Sequence, residues 1–182
     1  MLDDLELIKR AQEGQNEAFG GLYDKYLPRI YRFVFLKVSN KQIAEDLTQQ
    51  VFLSAWQNIR NYRHKGFPFT SWLYQIARNS VIDHYRTEKI HLELAEAEEV
   101  GETASLAIEL DNKLSMEEVR RGLRELPQHY QDVILMRFVE ELTPKEVAAA
   151  MNKSEGAIKV LQHRALAELK KVVTKEKNGE LA

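Results

Sequence analysis

Between positions 60 and 86 of this 182-residue chain lie six aromatic residues, Tyr62, Phe67, Phe69, Trp72, Tyr74 and Tyr85, and five basic ones, with Asp83 as the single acid. Cations hold phosphates while aromatic faces accept unstacked bases, so this mixture suits single-stranded nucleic acid. Burial is the competing use. Phe69 and Trp72 are expected to serve as core anchors, as large aromatics in small domains usually do. With Thr70 or Ser71 as cap, a helix runs to about Arg86. Leu73, Ile76, Ala77 and Ser80 then share its inner side, and Gln75, Arg78, Asn79, Ile82 and Arg86 point outward.

A second constellation lies near the C-terminal end. Thr143 can cap a helix, Pro144 fits its first position, and Glu146 completes a capping box. The helix ends at Met151, Asn152 tolerates the left-handed conformation that a sharp turn needs, and Ser154 caps the next helix. So short a connection matches helix-turn-helix spacing. On the second helix Ile158, Leu161, Ala165, Leu169 and Val172 share one side, while Lys159, Val160, His163, Arg164, Lys170 and Lys171 share the other. A docked apolar side with a free basic side is what entry into a major groove requires. An ordinary amphipathic helix with a solvated charged face would show the same periodicity.

Other chemistries find no support. His64, His84, His91, His129 and His163 have no ligand spacing, and there is no cysteine, so no metal site and no disulfide is expected. Asp83 and His84 fall on different sides of a helix with no nucleophile beside them. No glycine loop cradles a phosphate. Neither enzyme activity nor a cofactor is expected. The start of the chain is acidic where a secretory signal would be basic, and no apolar run reaches the roughly 18 residues of a membrane helix. The expectation is a soluble, cytoplasmic protein without membrane insertion.

The elements that must position these residues all read at helical period. Residues 3–13 carry Leu5, Ile8 and Ala11. Asn16 can cap a helix through Phe19, Leu22, Tyr23 and Tyr26, and Pro28 suits the first turn of another through Ile30, Phe33 and Val34. Residues 41–57 form one more, and 65–68 break the pattern. Further helices are expected from about 112 to 125 and from Pro127 to about Glu140. The net charge of −2 hides an uneven distribution: 1–86 and 113–175 each carry +3, 87–112 carries −7, and the tail 176–182 carries −1. Local charge therefore permits nucleic-acid binding where the average would not. The fold class is all-α: two helical domains, 1–86 and 113–175, joined by an acidic linker, 87–112.

The run Phe67-Pro68-Phe69-Thr70-Ser71-Trp72-Leu73-Tyr74-Gln75-Ile76-Ala77-Arg78-Asn79 resembles region two of bacterial sigma factors. Leu126-Pro127, Val133 to Phe138, Leu142 to Ala148, Ser154 to Lys159 and His163-Arg164-Ala165 resemble region four, with Asn152 in place of the usual turn glycine and Lys153 at a position more often apolar. With no room for a third domain between 87 and 112, the chain resembles the extracytoplasmic-function (ECF) group of the sigma-70 family. The resemblance implies core RNA polymerase, promoter DNA and an anti-sigma factor as partners. It assigns Asp46, Gln49 and Gln50 to polymerase binding, Gln50 standing where relatives are often acidic. Tyr62, Arg63, Lys65, Phe67, Gln75, Arg78, Asn79 and Arg86 would hold the melted non-template strand of the minus-ten element. Ser154, Glu155, Gly156, Lys159, Val160, His163 and Arg164 would read the minus-thirty-five duplex. A stand-alone helix-turn-helix regulator would leave 60–86 without a role; the other alternative is an interaction protein, two plain helical bundles held by a partner. A tether of this length also lets the two domains fold together over both DNA faces.

Overall fold

The computed structural model describes residues 3–94 and 116–179, and all their regular structure is helical, as expected. In order these are α1 (Asp4–Gln12), α2 (Asn16–Val38), α3 (Lys41–Asn58), a 3₁₀ turn (Ile59–Asn61) and α4 (Phe69–Leu94). Then come α5 (Met116–Glu125), α6 (Gln128–Ile134) with a π-helical turn (Leu135–Val139), α7 (Pro144–Met151) and α8 (Glu155–Gly179). Most of the expected linker, and the end of the tail, fall outside the described residues; positions 87–94 continue α4.

The first bundle forms around α2. Leu22, Ile30, Phe33 and Val34 line one face and meet Val51 and Ala55 of α3 and Leu73, Ala77 and Val81 of α4, all fully buried. Aromatic edges meet faces at Phe33–Tyr74, 5.3 Å between centroids, and Tyr23–Phe52, 4.8 Å. Gln12 Nε2 donates to the carbonyls of Ile59 and Tyr62, fixing the 3₁₀ turn against α1.

Several local expectations are corrected here. Pro28 does not open a new helix; it lies inside α2. Pro28 and Asp24, whose carbonyl loses its helical donor, are both exposed, while the buried stripe continues to either side. Asn16 is a helical residue rather than a cap, since Gln15 holds the cap position without a side-chain bond. Thr70 and Ser71 are buried inside α4, which begins at Phe69. Leu5 points to solvent while Ile8 and Ala11 are buried.

The second bundle packs Val133, Met136, Val147, Ala150, Ile158 and Ala165, all fully buried. Gly122 lets α5 approach α8: a Cβ there would lie 3.0 Å from Leu169 Cδ1 and 3.1 Å from Val173 Cγ2. The expected single helix from Pro127 to Glu140 begins as foreseen, with Pro127 at the cap, but widens into the π turn. There Glu140 N–H donates to Leu135 O, and Glu141, at φ 57°, stops the helix. The bundles lie against each other, α7 on α4.

The buried Leu73 gives a direct test of this packing. Leu73→Ala is expected to lose about 2–5 kcal/mol of stability in a urea titration, whereas the exposed Leu5→Ala should change it by less than about 0.5 kcal/mol.

Candidate nucleic-acid interface

The turn between α7 and α8 has the expected chemistry. Thr143 Oγ1 accepts from Glu146 N–H at 3.3 Å and Glu146 Oε2 accepts from Thr143 N–H at 2.6 Å, closing the capping box. Asn152 takes the left-handed conformation at φ 52°, and Ser154 Oγ accepts from Ala157 N–H at 3.1 Å. Ile158 and Ala165 are buried and Leu161, Leu169 and Val172 half-buried, so the apolar side docks as anticipated. Ser154, Glu155, Gly156, Lys159, Val160, His163 and Arg164 are all exposed. Lys159 reaches back only to Glu155, at 3.1 Å. No heavy atom lies within 4 Å of where a Gly156 Cβ would sit, so the first turn of α8 is bare. The arrangement is an uncovered, mainly basic helix front.

The aromatic-basic segment divides less cleanly. Arg63, Lys65 and Asn79 are exposed, Arg86 is exposed and pairs with Asp83 at 3.2 Å, and Gln75 is half-buried. Tyr62, however, turns inward. Its ring stands edge-on to Phe69 at 5.3 Å and against Trp72 at 4.8 Å, and burial pushes its phenol pKa up. Phe69 and Tyr74 are likewise buried, and Trp72 packs on the core at its margin. The aromatic count therefore overstated the stacking surface, because most of these rings build the core. Phe67, half-buried, is the aromatic left at the loop, and Lys145 of α7 lies 5.6 Å from its ring centroid.

Arg78 departs furthest from expectation. Its Nε donates to Asp132 Oδ2 at 2.7 Å, across the boundary between the bundles. Lys37 Nζ donates to the other oxygen of the same carboxylate, and both side chains of that second pair are completely buried. Burial lowers the Lys37 pKa, and the Asp132 charge opposes that shift. Eight residues on, buried Glu140 accepts from Arg32 Nε at 2.7 Å and Nη2 at 2.9 Å, from Arg29 Nε at 3.3 Å, and from Tyr74 O–H at 2.6 Å. Burial, then Glu140, raises the Tyr74 pKa far enough that its phenol stays protonated and donates. Asp132 and Glu140 drew no attention as a sequence, since neither belongs to a motif. On α3, Asp46, Gln49 and Gln50 are exposed over buried Leu47 and Val51. Leu53, 56% exposed, continues their stripe at the next turn and was missed because a leucine reads as core.

Among the described residues no acid or histidine cluster could hold a metal ion, and no helix is long and apolar enough to cross a membrane. Residues 22–90 match the family model for Sigma-70 region 2, and residues 116–169 match that for Sigma-70, region 4. The chain is 31% identical over 161 residues to the ECF RNA polymerase sigma factor SigM of Bacillus subtilis, covering 87% of this chain and 97% of that one. It belongs to the sigma-70 family, in the ECF group. A second relative, the ECF RNA polymerase sigma factor BldN of Streptomyces coelicolor, is 38% identical over 93% of this chain, which spans 65% of that relative's length. The fold is shared with sigma factor RpoE of Bartonella quintana, solved with the anti-sigma factor NepR (TM-score 0.72, 20% identity, 86% of this chain and 96% of that one). It is shared too with CnrH, solved with the cytosolic domain of CnrY (TM-score 0.71, 21% identity, 94% and 97%). Sigma regions two and four serve promoter recognition in transcription initiation, and this chain carries both.

The turn makes a measurable contribution of its own. Thr143→Ala and Asn152→Ala should each lower stability by about 1 kcal/mol in thermal melts of the full chain, while Asn152→Gly should be tolerated.

Proposed function

We propose that this sigma-70 family member binds core RNA polymerase in the cytoplasm, reads the minus-thirty-five duplex with α8, and captures the melted minus-ten strand with the loop 62–67 and α4. Catalysis then belongs to the polymerase, and the chain needs no cofactor or active site. The proposal divides it into a strand-capturing and polymerase-binding domain, 1–86, a linker, 87–112, a duplex-reading domain, 113–175, and a tail, 176–182. An anti-sigma factor is the regulator that family membership suggests.

The observation that carries this reading is the uncovered front of α8 behind a fully capped turn. Lys159, His163 and Arg164 supply donors for phosphates and base edges, and Val160 supplies an apolar contact for a thymine methyl. The bare backbone at Gly156 permits close approach to the groove. In the other domain, Asn79 suits a base edge, and Arg63, Lys65 and Arg86 suit phosphates. For polymerase, the proposed contact is the exposed stripe Asp46, Gln49, Gln50 and Leu53, whose apolar member would be desolvated at its centre.

Two measurements separate these roles. Asn79→Ala should retain core-polymerase binding in a pull-down and lose promoter opening, while Leu53→Lys should lose the pull-down itself; normal opening by Asn79→Ala would remove the strand-capture assignment. Lys159→Ala with Arg164→Ala should weaken binding of the assembled holoenzyme to upstream duplex and flatten its dependence on salt, since each lost phosphate contact reduces the slope by about 1. An unchanged slope would mean that α8 presents a different face.

A further inference from the structure

We propose that the cleft between the α1–α2 turn and the end of α3 is a second nucleobase site, which takes an unpaired base neighbouring those held by loop 62–67. The proposal rests on the strand-capture reading given above and extends it to a surface that reading leaves unused.

Buried Ala11 and Ile59 line the cleft, and Trp56 forms one wall. Phe19 meets Trp56 edge-on at 4.9 Å between centroids and fixes the indole, which stays half-exposed. Asn16, Gln57 and Arg60 are exposed around it, and among the described residues their side chains have no hydrogen-bond or ion-pair partner. Gly14, at φ 92°, turns the chain tightly between α1 and α2. Arg60 lies over that turn, since a Cβ on Gly14 would be 3.8 Å from Arg60 Nη2.

Each of these groups has a counterpart in a nucleotide. An aromatic face stacks on any base, an amide offers donor and acceptor to a base edge, and a guanidinium meets the phosphate. At about 290 Å³ the cleft has room for one planar base and falls short of the roughly 300–1,000 Å³ of sites for larger ligands. Glu13 and Glu17, exposed on either side of the turn, disfavour a free polyphosphate there. A base carried on a strand, with its phosphate directed to Arg60, suits this mixture better.

Position selects the captured strand as the source of that base. Gln12 Nε2 donates to the carbonyls of Ile59 at 3.0 Å and Tyr62 at 2.9 Å, so cleft and loop are held on one frame. Arg60, Arg63 and Lys65 are exposed and form a basic row from the cleft into the loop. Trp56 also supplies a stacking face outside the segment whose Tyr62, Phe69 and Tyr74 turn inward. All the lining residues belong to the first bundle, so the cleft does not depend on where the second lies.

The test uses holoenzyme assembled from the full chain and a promoter fragment that it selects from a random library. The fragment is prepared with a mismatched bubble and an abasic site at each unpaired non-template position in turn. Base removal should weaken binding at two separate positions. One penalty should vanish with Phe67→Ala. The other, about tenfold as for one lost stack, should fall below about twofold with Trp56→Leu. Because Trp56 also packs on Phe19, Asn16→Ala with Gln57→Ala supplies an arm that leaves the core intact. That variant should still pull down core polymerase and should lose the preference among the four bases at the second position. A single sensitive position, or a second one indifferent to both variants, overturns the proposal. A fragment with no sensitive position would remove the strand-capture reading itself, so the two failures are distinguishable.

Discussion

A carboxylate removed from water must be answered by positive charge at hydrogen-bond distance, and Asp132 and Glu140 are answered entirely from the other bundle. That requirement sets how the two halves of the chain meet. It ties Asp132 of α6 and Glu140 after the π turn to α2 through Lys37, Arg29 and Arg32, engages Arg78, and accompanies the packing of α7 on α4. The π turn has a part in this. Widening the helix by one residue lets Glu140 close onto Leu135 and hold its side chain among Arg29, Arg32 and Tyr74.

α2 is the element on which both domains depend. One face supplies Leu22, Ile30, Phe33 and Val34 to the core of the first bundle, and an adjoining face supplies the cations that receive the second. It can do both only because the helix continues past Pro28, which lies on its exposed side. A break there would have put Arg29, Arg32 and Lys37 on a separate helix free to orient independently. Tyr74 joins the two functions in a single side chain: its ring packs on Phe33 and its hydroxyl donates to Glu140.

Interactions close in sequence were the legible ones. The capping box at Thr143, the left-handed Asn152 and the Ser154 cap depend on neighbours two to four residues away, so residue type at the right offset settles them. The two faces of α8 follow from its 3.6-residue period for the same reason. Aromatic residues were harder to place. Tyr62, Phe69 and Tyr74 have the composition of a base-stacking surface, but a small bundle needs large rings for its core, and their fate depends on which helix packs above them. Leu53 is the converse, an apolar residue outside the core because it lies on the side of α3 opposite buried Val51 and Ala55.

The pattern of residues by itself determined an all-helical chain with two bundles, and a helix-turn-helix with one basic front. Each of these rests on local offsets and helical period. Tertiary structure alone decided which aromatics remain available, that Arg78 meets Asp132, and that the second bundle packs on α4 while leaving the front of α8 exposed. Those outcomes come from pairings more than fifty residues apart, such as Arg78 with Asp132 and Arg32 with Glu140. No periodicity records them, because a charged residue awaiting a distant partner has the same local signature as one awaiting water.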